Sequence, residues 1–139
     1  MTRGILVNKR SCIMAVDDEE DILRLLRRIL EEEGYEFVGT TSGESAISLL
    51  RQKQPSLVIL DIMMPGLDGF QVLDLIRQKS DVPVIMLTGK GGVTALRDAI
   101  EIGADDYIRK PFYPKELVAR VRAKLRRAAQ TQSALPGSA

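Results

Sequence analysis

Five short apolar runs, each followed by a stretch with helical periodicity, constrain this chain more than any other feature. The runs are "CIMAV" (12–16), "YEFVGT" (35–40), "SLVIL" (56–60), "VPVIMLT" (82–88) and "DDYIRK" (105–110). After the first, "DILRLLRRILEEEG" sets Ile22, Leu25, Leu26, Ile29 and Leu30 on one stripe, with acids in its first turn and Gly34 as the stop. "GESAISLLRQKQ" predicts a second helix ended by Pro55, and a third runs from about Gly69 through "FQVLDLIRQK". "VTALRDAIEIG" closes on Gly103. "PKELVARVRAKLRR" opens on a proline and turns Leu117, Val118, Val121 and Leu125 inward. No internal repeat is evident. Strands alternating with helices in this way predict an α/β domain, a parallel sheet covered by helices on both faces. "YEFVGT", the weakest and most polar run, belongs at a sheet edge.

Open sheets of this kind bind ligands beyond the carboxyl ends of their strands. Here those ends carry Asp17-Asp18, Asp61, Thr88-Gly89 and Lys110-Pro111. Asp61 is the least expected, because "LVIL" reads as a strand buried on both faces and an unpaired buried carboxylate is costly. Helix capping accounts for Glu19, Glu20 and Asp21 in "DDEED", but not for a pair at a buried strand end, nor for Asp61. Three carboxylates raise one another's pKa unless a cation neutralises them. An oxygen-lined site without histidine suits a hard cation, above all Mg²⁺, with Mn²⁺ as a substitute. Lys110 beside them could be a simple salt bridge. Together with a metal and the Thr88 hydroxyl, it also matches what phosphoryl transfer to a carboxylate nucleophile requires. The residues by themselves leave the donor open.

Composition removes other possibilities. The chain has 139 residues and reads as one domain over 11–128, with an N-terminal tail over 1–10 and a flexible tail or linker over 129–139. It contains no histidine, which excludes histidine metal sites, Ser-His and Cys-His catalysis and a phosphohistidine carrier role. The net charge of +1 gives no general pull towards nucleic acid. "RVRAKLRR" reads as the solvated face of an amphipathic helix, so no direct nucleic-acid contact is expected. No apolar segment approaches the ~20 residues of a membrane span, and "MTRGILVNKR" lacks the core of a secretory signal. The single cysteine, Cys12, reads as a core thiol in a reducing compartment. A cytoplasmic location and no membrane contact are expected.

"VDDEED", "LDIMMPGLDGFQV", "MLTGK" and "GADDYIRKPF", in this order at successive strand ends, closely resemble the receiver domain of two-component response regulators. The resemblance spans roughly residues 10 to 128 and is strongest to the subfamily with a winged-helix DNA-binding output domain. It implies a single (βα)₅ flavodoxin-like domain, strand order 2-1-3-4-5. It implies Asp61 as phosphoacceptor and Mg²⁺ held by Asp18, Asp61 and the Met63 backbone carbonyl, with Asp17 acting through water. Thr88, Gly89 and Lys110 would bind the phosphoryl group, Thr88 and Tyr107 would switch, and Pro111 would follow a cis bond. By the same resemblance Met63 and Lys90 would tune dephosphorylation, and Gly89 stands where the family usually has alanine. Asp105, Asp106, Glu116, Arg120 and Arg122 match charges of a symmetric dimer face, whereas Leu96 stands where a lysine is expected.

The function implied is a phosphorylation-dependent switch, not an enzyme turning over a substrate. It would take its phosphoryl group from a sensor histidine kinase and alter the face of the fourth helix, fifth strand and fifth helix to control transcription. A phosphorylation-induced homodimer is the partner expected besides the kinase. Two other classes compete. A Mg²⁺-dependent aspartyl-phosphate phosphohydrolase usually needs an acid two residues after its nucleophile, where this chain has Met63. A flavin-binding module finds little to stack on, with aromatics at 4% and no tryptophan.

Overall fold

The computed structural model describes residues 10–89 and 93–134. Strands β1 (Cys12–Val16), β2 (Glu36–Thr40), β3 (Leu57–Asp61), β4 (Val84–Thr88) and β5 (Asp106–Arg109) alternate with helices α1 (Glu20–Glu32), α2 (Gly43–Lys53), α3 (Gly69–Arg77), α4 (Val93–Ile102) and α5 (Pro114–Ala134). All strand pairs are parallel, in the order β2-β1-β3-β4-β5. This is the flavodoxin-like (βα)₅ arrangement, with the polar β2 at one edge.

Alternation along the strands divides the core into two layers. Met14, Val16, Val58, Leu60, Val84 and Met86 face α2 and α3, packing on Ala46, Leu50, Val72, Leu73 and Ile76. Ile13, Ala15, Leu57, Ile59, Ile85 and Leu87 face the other way, on Leu26, Ile29 and Leu30 of α1 and Leu117 and Val121 of α5. Because both faces are covered, β3 and β4 are buried at every position. Their unbroken apolar runs follow from that.

Three details depart from the sequence reading. Leu25 lies at the margin of the α1 stripe and is 40% exposed, with Leu26 and Ile29 carrying the contact. Cys12 is half-buried at the start of β1, and burial pushes its thiol pKa up. The last helix continues to Ala134, so residues 129–134, read as a flexible tail, are helical. "RRAAQTQSA" is rich in good helix formers, and no glycine or proline interrupts it before Pro136. Among the described residues no helix is long and apolar enough to cross a membrane.

Candidate functional site

The sheet register assembles the site. The Cα of Val16 pairs with that of Thr40 on one side and Leu60 on the other, so Asp17 and Asp61 extend from neighbouring strand ends. Asp61 lies opposite Leu87, and Thr88 opposite Arg109, which brings the β4 and β5 ends alongside. The Lys110 amide donates to the Thr88 carbonyl at 2.8 Å, continuing this pairing one residue past β5. The Lys110–Pro111 peptide bond is cis.

Asp17 is fully buried, whereas Asp18 beside it is exposed. Asp17 Oδ1 accepts from the Glu19 amide at 2.9 Å. Among the described residues no hydrogen bond of good geometry reaches Asp17 Oδ2, although Lys110 Nζ lies 2.9 Å away as its ion-pair partner. Asp61, 3% exposed, accepts at Oδ1 from the Met63 amide at 3.3 Å, and its Oδ2 is 3.4 Å from Lys110 Nζ. One carboxylate oxygen from each of Asp17, Asp18 and Asp61 lies within 4.8 Å of the others.

Charge is unbalanced here. One ammonium faces Asp17, Asp61 and, at 3.6 Å, Glu19 Oε1. Burial, and then the Asp17 charge, push the Asp61 pKa up to about 6, against the opposing pull of Lys110 and the Met63 amide. Burial likewise raises Asp17. For Lys110 burial works against the charged form, but Asp17, Asp61 and Glu19 outweigh it and hold its pKa above the ordinary value. Among the described residues the site is therefore short of positive charge, and its all-oxygen donor set fits a hard divalent cation.

The remaining residues singled out from the sequence lie at the end of β4, on β5 and in the segment after β3. Thr88 is 3% exposed at the end of β4. Gly89 is exposed, and among the described residues a Cβ there would meet Lys110 Cδ alone, at 3.9 Å. Met63 is 65% exposed beside Asp61. Tyr107 is partly exposed on the edge strand β5. Lys90 and the side chain of Leu96 lie outside the described residues.

The charges assigned to a dimer face are all engaged within the chain. Asp105 Oδ2 accepts from Arg77 and from the Val84 amide. Asp106 binds Arg120 through both oxygens, Glu116 also binds Arg120, and Arg122 pairs with Glu33, the C-cap of α1.

Two residues escaped the sequence reading. Glu19 stands at the N-cap of α1 but makes no side-chain capping bond, and its carboxylate turns to Lys110. Its placement beside Asp17 in "VDDEED" was the available signal. Arg77 gathers the carbonyls of Gly103, Ser80 and Val82 as well as Asp105, and no local pattern announces that role.

A parallel five-stranded sheet in this order, with acids and a lysine at its carboxyl edge, defines a flavodoxin-like domain, and comparison with known proteins names its family. Residues 13–122 match the response regulator receiver domain, and the chain belongs to that family of regulatory domains of two-component systems. It is 51% identical over 121 residues to the "Probable transcriptional regulator ycf27" of Porphyra purpurea, covering 87% of this chain and 50% of that one. It is 45% identical over 118 residues to the "DNA-binding response regulator MtrA" of Mycobacterium leprae (strain TN), covering 85% of this chain and 52% of that one. The chain thus spans about half the length of the curated relatives it matches. Among solved structures, the receiver domain of NtrX from Brucella abortus superposes with a TM-score of 0.78 at 38% identity, over 82% of this chain and 98% of that one. A CheY-like receiver domain protein from Methanospirillum hungatei JF-1 gives 0.84 at 27% identity, over 88% and 99%.

Proposed function

We propose that this receiver domain takes a phosphoryl group onto Asp61 from the phosphohistidine of a sensor histidine kinase and passes the change to a transcriptional output. The observation that carries the reading is the position of Asp61: a nearly buried carboxylate with a raised pKa, 3.4 Å from a lysine and grouped with two further aspartates. Membership of the receiver family and likeness to transcriptional regulators support the regulatory part of it.

In the reaction proposed, one Asp61 carboxylate oxygen attacks phosphorus as the phosphorus–nitrogen bond to the donor imidazole breaks, giving an acyl phosphate. Asp18, Asp61 and the Met63 carbonyl would hold Mg²⁺, with Asp17 reaching it through water. The ion would supply neutralising charge for the phosphoryl oxygens. The Met63 amide fixes the Asp61 rotamer through Oδ1. Lys110 exchanges its ion pair with Asp17 for the incoming phosphoryl oxygens, while the Thr88 hydroxyl and the Gly89 amide donate to others. Drawing Thr88 towards the acyl phosphate leaves room for Tyr107 to pack inward, and the α4-β5-α5 face changes. Exposed Met63 and the side-chain-free Gly89 set how water reaches the acyl phosphate.

The test is incubation of the wild type and Asp61→Ala with Mg²⁺ and acetyl phosphate, read by intact mass and by sedimentation. A single phosphoryl adduct on the wild type and none on Asp61→Ala is expected. Equal uptake by both, or uptake by neither, overturns the proposal. Continued turnover of a phosphate ester, many cycles per chain, would favour a phosphohydrolase instead.

A further inference from the structure

Two glycines hold the segment that follows Asp61, although neither has a backbone conformation that demands glycine. Gly69 opens α3, and a Cβ built on it would lie 2.2 Å from the Asp61 carbonyl oxygen and 2.6 Å from Ile62 Cα. Both are main-chain atoms that cannot swing aside. The Gly69 amide also donates to the Ile62 carbonyl at 2.9 Å, closing the base of the turn. Helix α3 therefore starts in direct contact with the backbone of Asp61.

Gly43 opens α2, on a different part of the chain, and is buried. A Cβ on it would lie 2.7 Å from Val72 Cγ2, 3.0 Å from Leu67 Cβ and 3.3 Å from the Leu67 carbonyl oxygen. Leu67 packs half-buried against the core layer of α2 and α3, and Val72 is wholly buried in it. The obstacles are a β-branched methyl and the root of a side chain, neither of which can rotate clear. Any side chain at 43 would crowd Val72 first and Leu67 next, so the start of α3 and the turn before it would have to give. Asp68 follows at once, held by a reciprocal capping box with Gln71, and then comes Gly69 against Asp61. Leu67 and Val72, which Gly43 abuts, thus flank Gly69 and its contact with the Asp61 main chain.

We infer that Gly43 is a positioning residue for Asp61. The missing side chain at the start of α2 lets Leu67 seat, and Leu67 sets through Asp68 and Gly69 where the Asp61 backbone and the adjoining Met63 amide stand. This rests on reading the three aspartates as a cation and phosphoryl site. Such indirect support governs metal affinity as well as reaction rate, since a ligand displaced by a fraction of an ångström loses coordination geometry.

The test measures Mn²⁺ binding by electron paramagnetic resonance, alongside circular dichroism and thermal melting. The variants are Gly43→Ala, Leu67→Ala and, as control, Leu50→Ala. Leu50 is in the same core layer, seven residues and about two turns along α2 from Gly43, so its loss is expected to destabilise the fold without crowding Leu67. Gly43→Ala is expected to weaken Mn²⁺ binding about tenfold, with Leu50→Ala unchanged at temperatures where both are folded. Leu67→Ala, which frees the turn without crowding α2, is expected to weaken it in the same direction, and it decides the matter if Gly43→Ala does not fold. Wild-type affinity in Gly43→Ala, equal weakening in Leu50→Ala, or an unaffected Leu67→Ala overturns the inference and leaves the site reading intact. Absence of Mn²⁺ binding by the wild type overturns both.

Discussion

Lys110 sits closer to Asp17 than to Asp61: its ammonium is 2.9 Å from Asp17 Oδ2 and 3.4 Å from Asp61 Oδ2. The lysine thus serves the buried aspartate of β1 while remaining within a small movement of the proposed phosphoacceptor. Removing it should leave two buried carboxylates facing each other. Lys110→Ala is expected to lose about 3 kcal/mol at pH 8, the cost of breaking one partner from a buried pair. The loss should be smaller at pH 5, where a proton on Asp61 removes one of the two charges. Urea unfolding at both pH values checks this, and an equal loss at each would contradict it.

The Asp61 pKa itself carries a pH dependence. Folding raises it from 3.8 to about 6, so the native state binds the proton more tightly than the unfolded chain. Stability contributed by the protonated acid is complete below about pH 4 and is lost as the pH rises through 6. Above that, ionised Asp61 costs up to about 3 kcal/mol. Asp61→Asn should therefore stabilise the fold at pH 8 and change little at pH 4. A variant that is less stable than wild type at pH 8 would show that the carboxylate is favourably solvated after all.

A divalent cation should act in the same direction by supplying the missing charge. At ten times its dissociation constant, Mg²⁺ is expected to add about 1.4 kcal/mol to wild-type stability at pH 8. Asp18→Ala should abolish most of that gain, and pH 5 should reduce it. Thermal melts with and without Mg²⁺ read the effect, and an undiminished gain in Asp18→Ala would remove Asp18 from the proposed ligand set.

Arg77 belongs to a separate network at the opposite end of the sheet. Its guanidinium donates to the carbonyls of Gly103, Ser80 and Val82 and to Asp105, and Gly103, at φ +125°, leaves room for it. Arg77→Met strands several of these acceptors and should cost about 2 kcal/mol in urea unfolding. Phosphoryl uptake by Asp61 should proceed at the wild-type rate in the folded variant. A cost under about 0.5 kcal/mol would place the network with ordinary surface ion pairs.

Asp105 belongs to that network too, which bears on assembly. Its Oδ2 is shared between Arg77 and the Val84 amide, so it already serves the monomer fold. Asp105→Asn should weaken the monomer fold more than any phosphorylation-induced dimer. Unfolding and sedimentation of the beryllofluoride-treated protein separate the two effects.

The sequence by itself determined the element order, the parallel sheet and the strand ends that carry Asp17, Asp18, Asp61, Thr88 and Lys110. These features are local in cause: apolar runs of strand length, helical periodicity and turn residues recur at fixed positions along the chain. Only the tertiary structure decided that Lys110 favours Asp17, that Glu19 turns from its helix to the site, and that Arg122 faces α1. Each depends on distances between residues far apart in sequence, to which periodicity is blind. The same holds for Arg77 and for Gly43, whose missing side chain matters only because Leu67 and Val72 fold against it. A chain pattern names the groups at a sheet edge. Packing decides which of them meet.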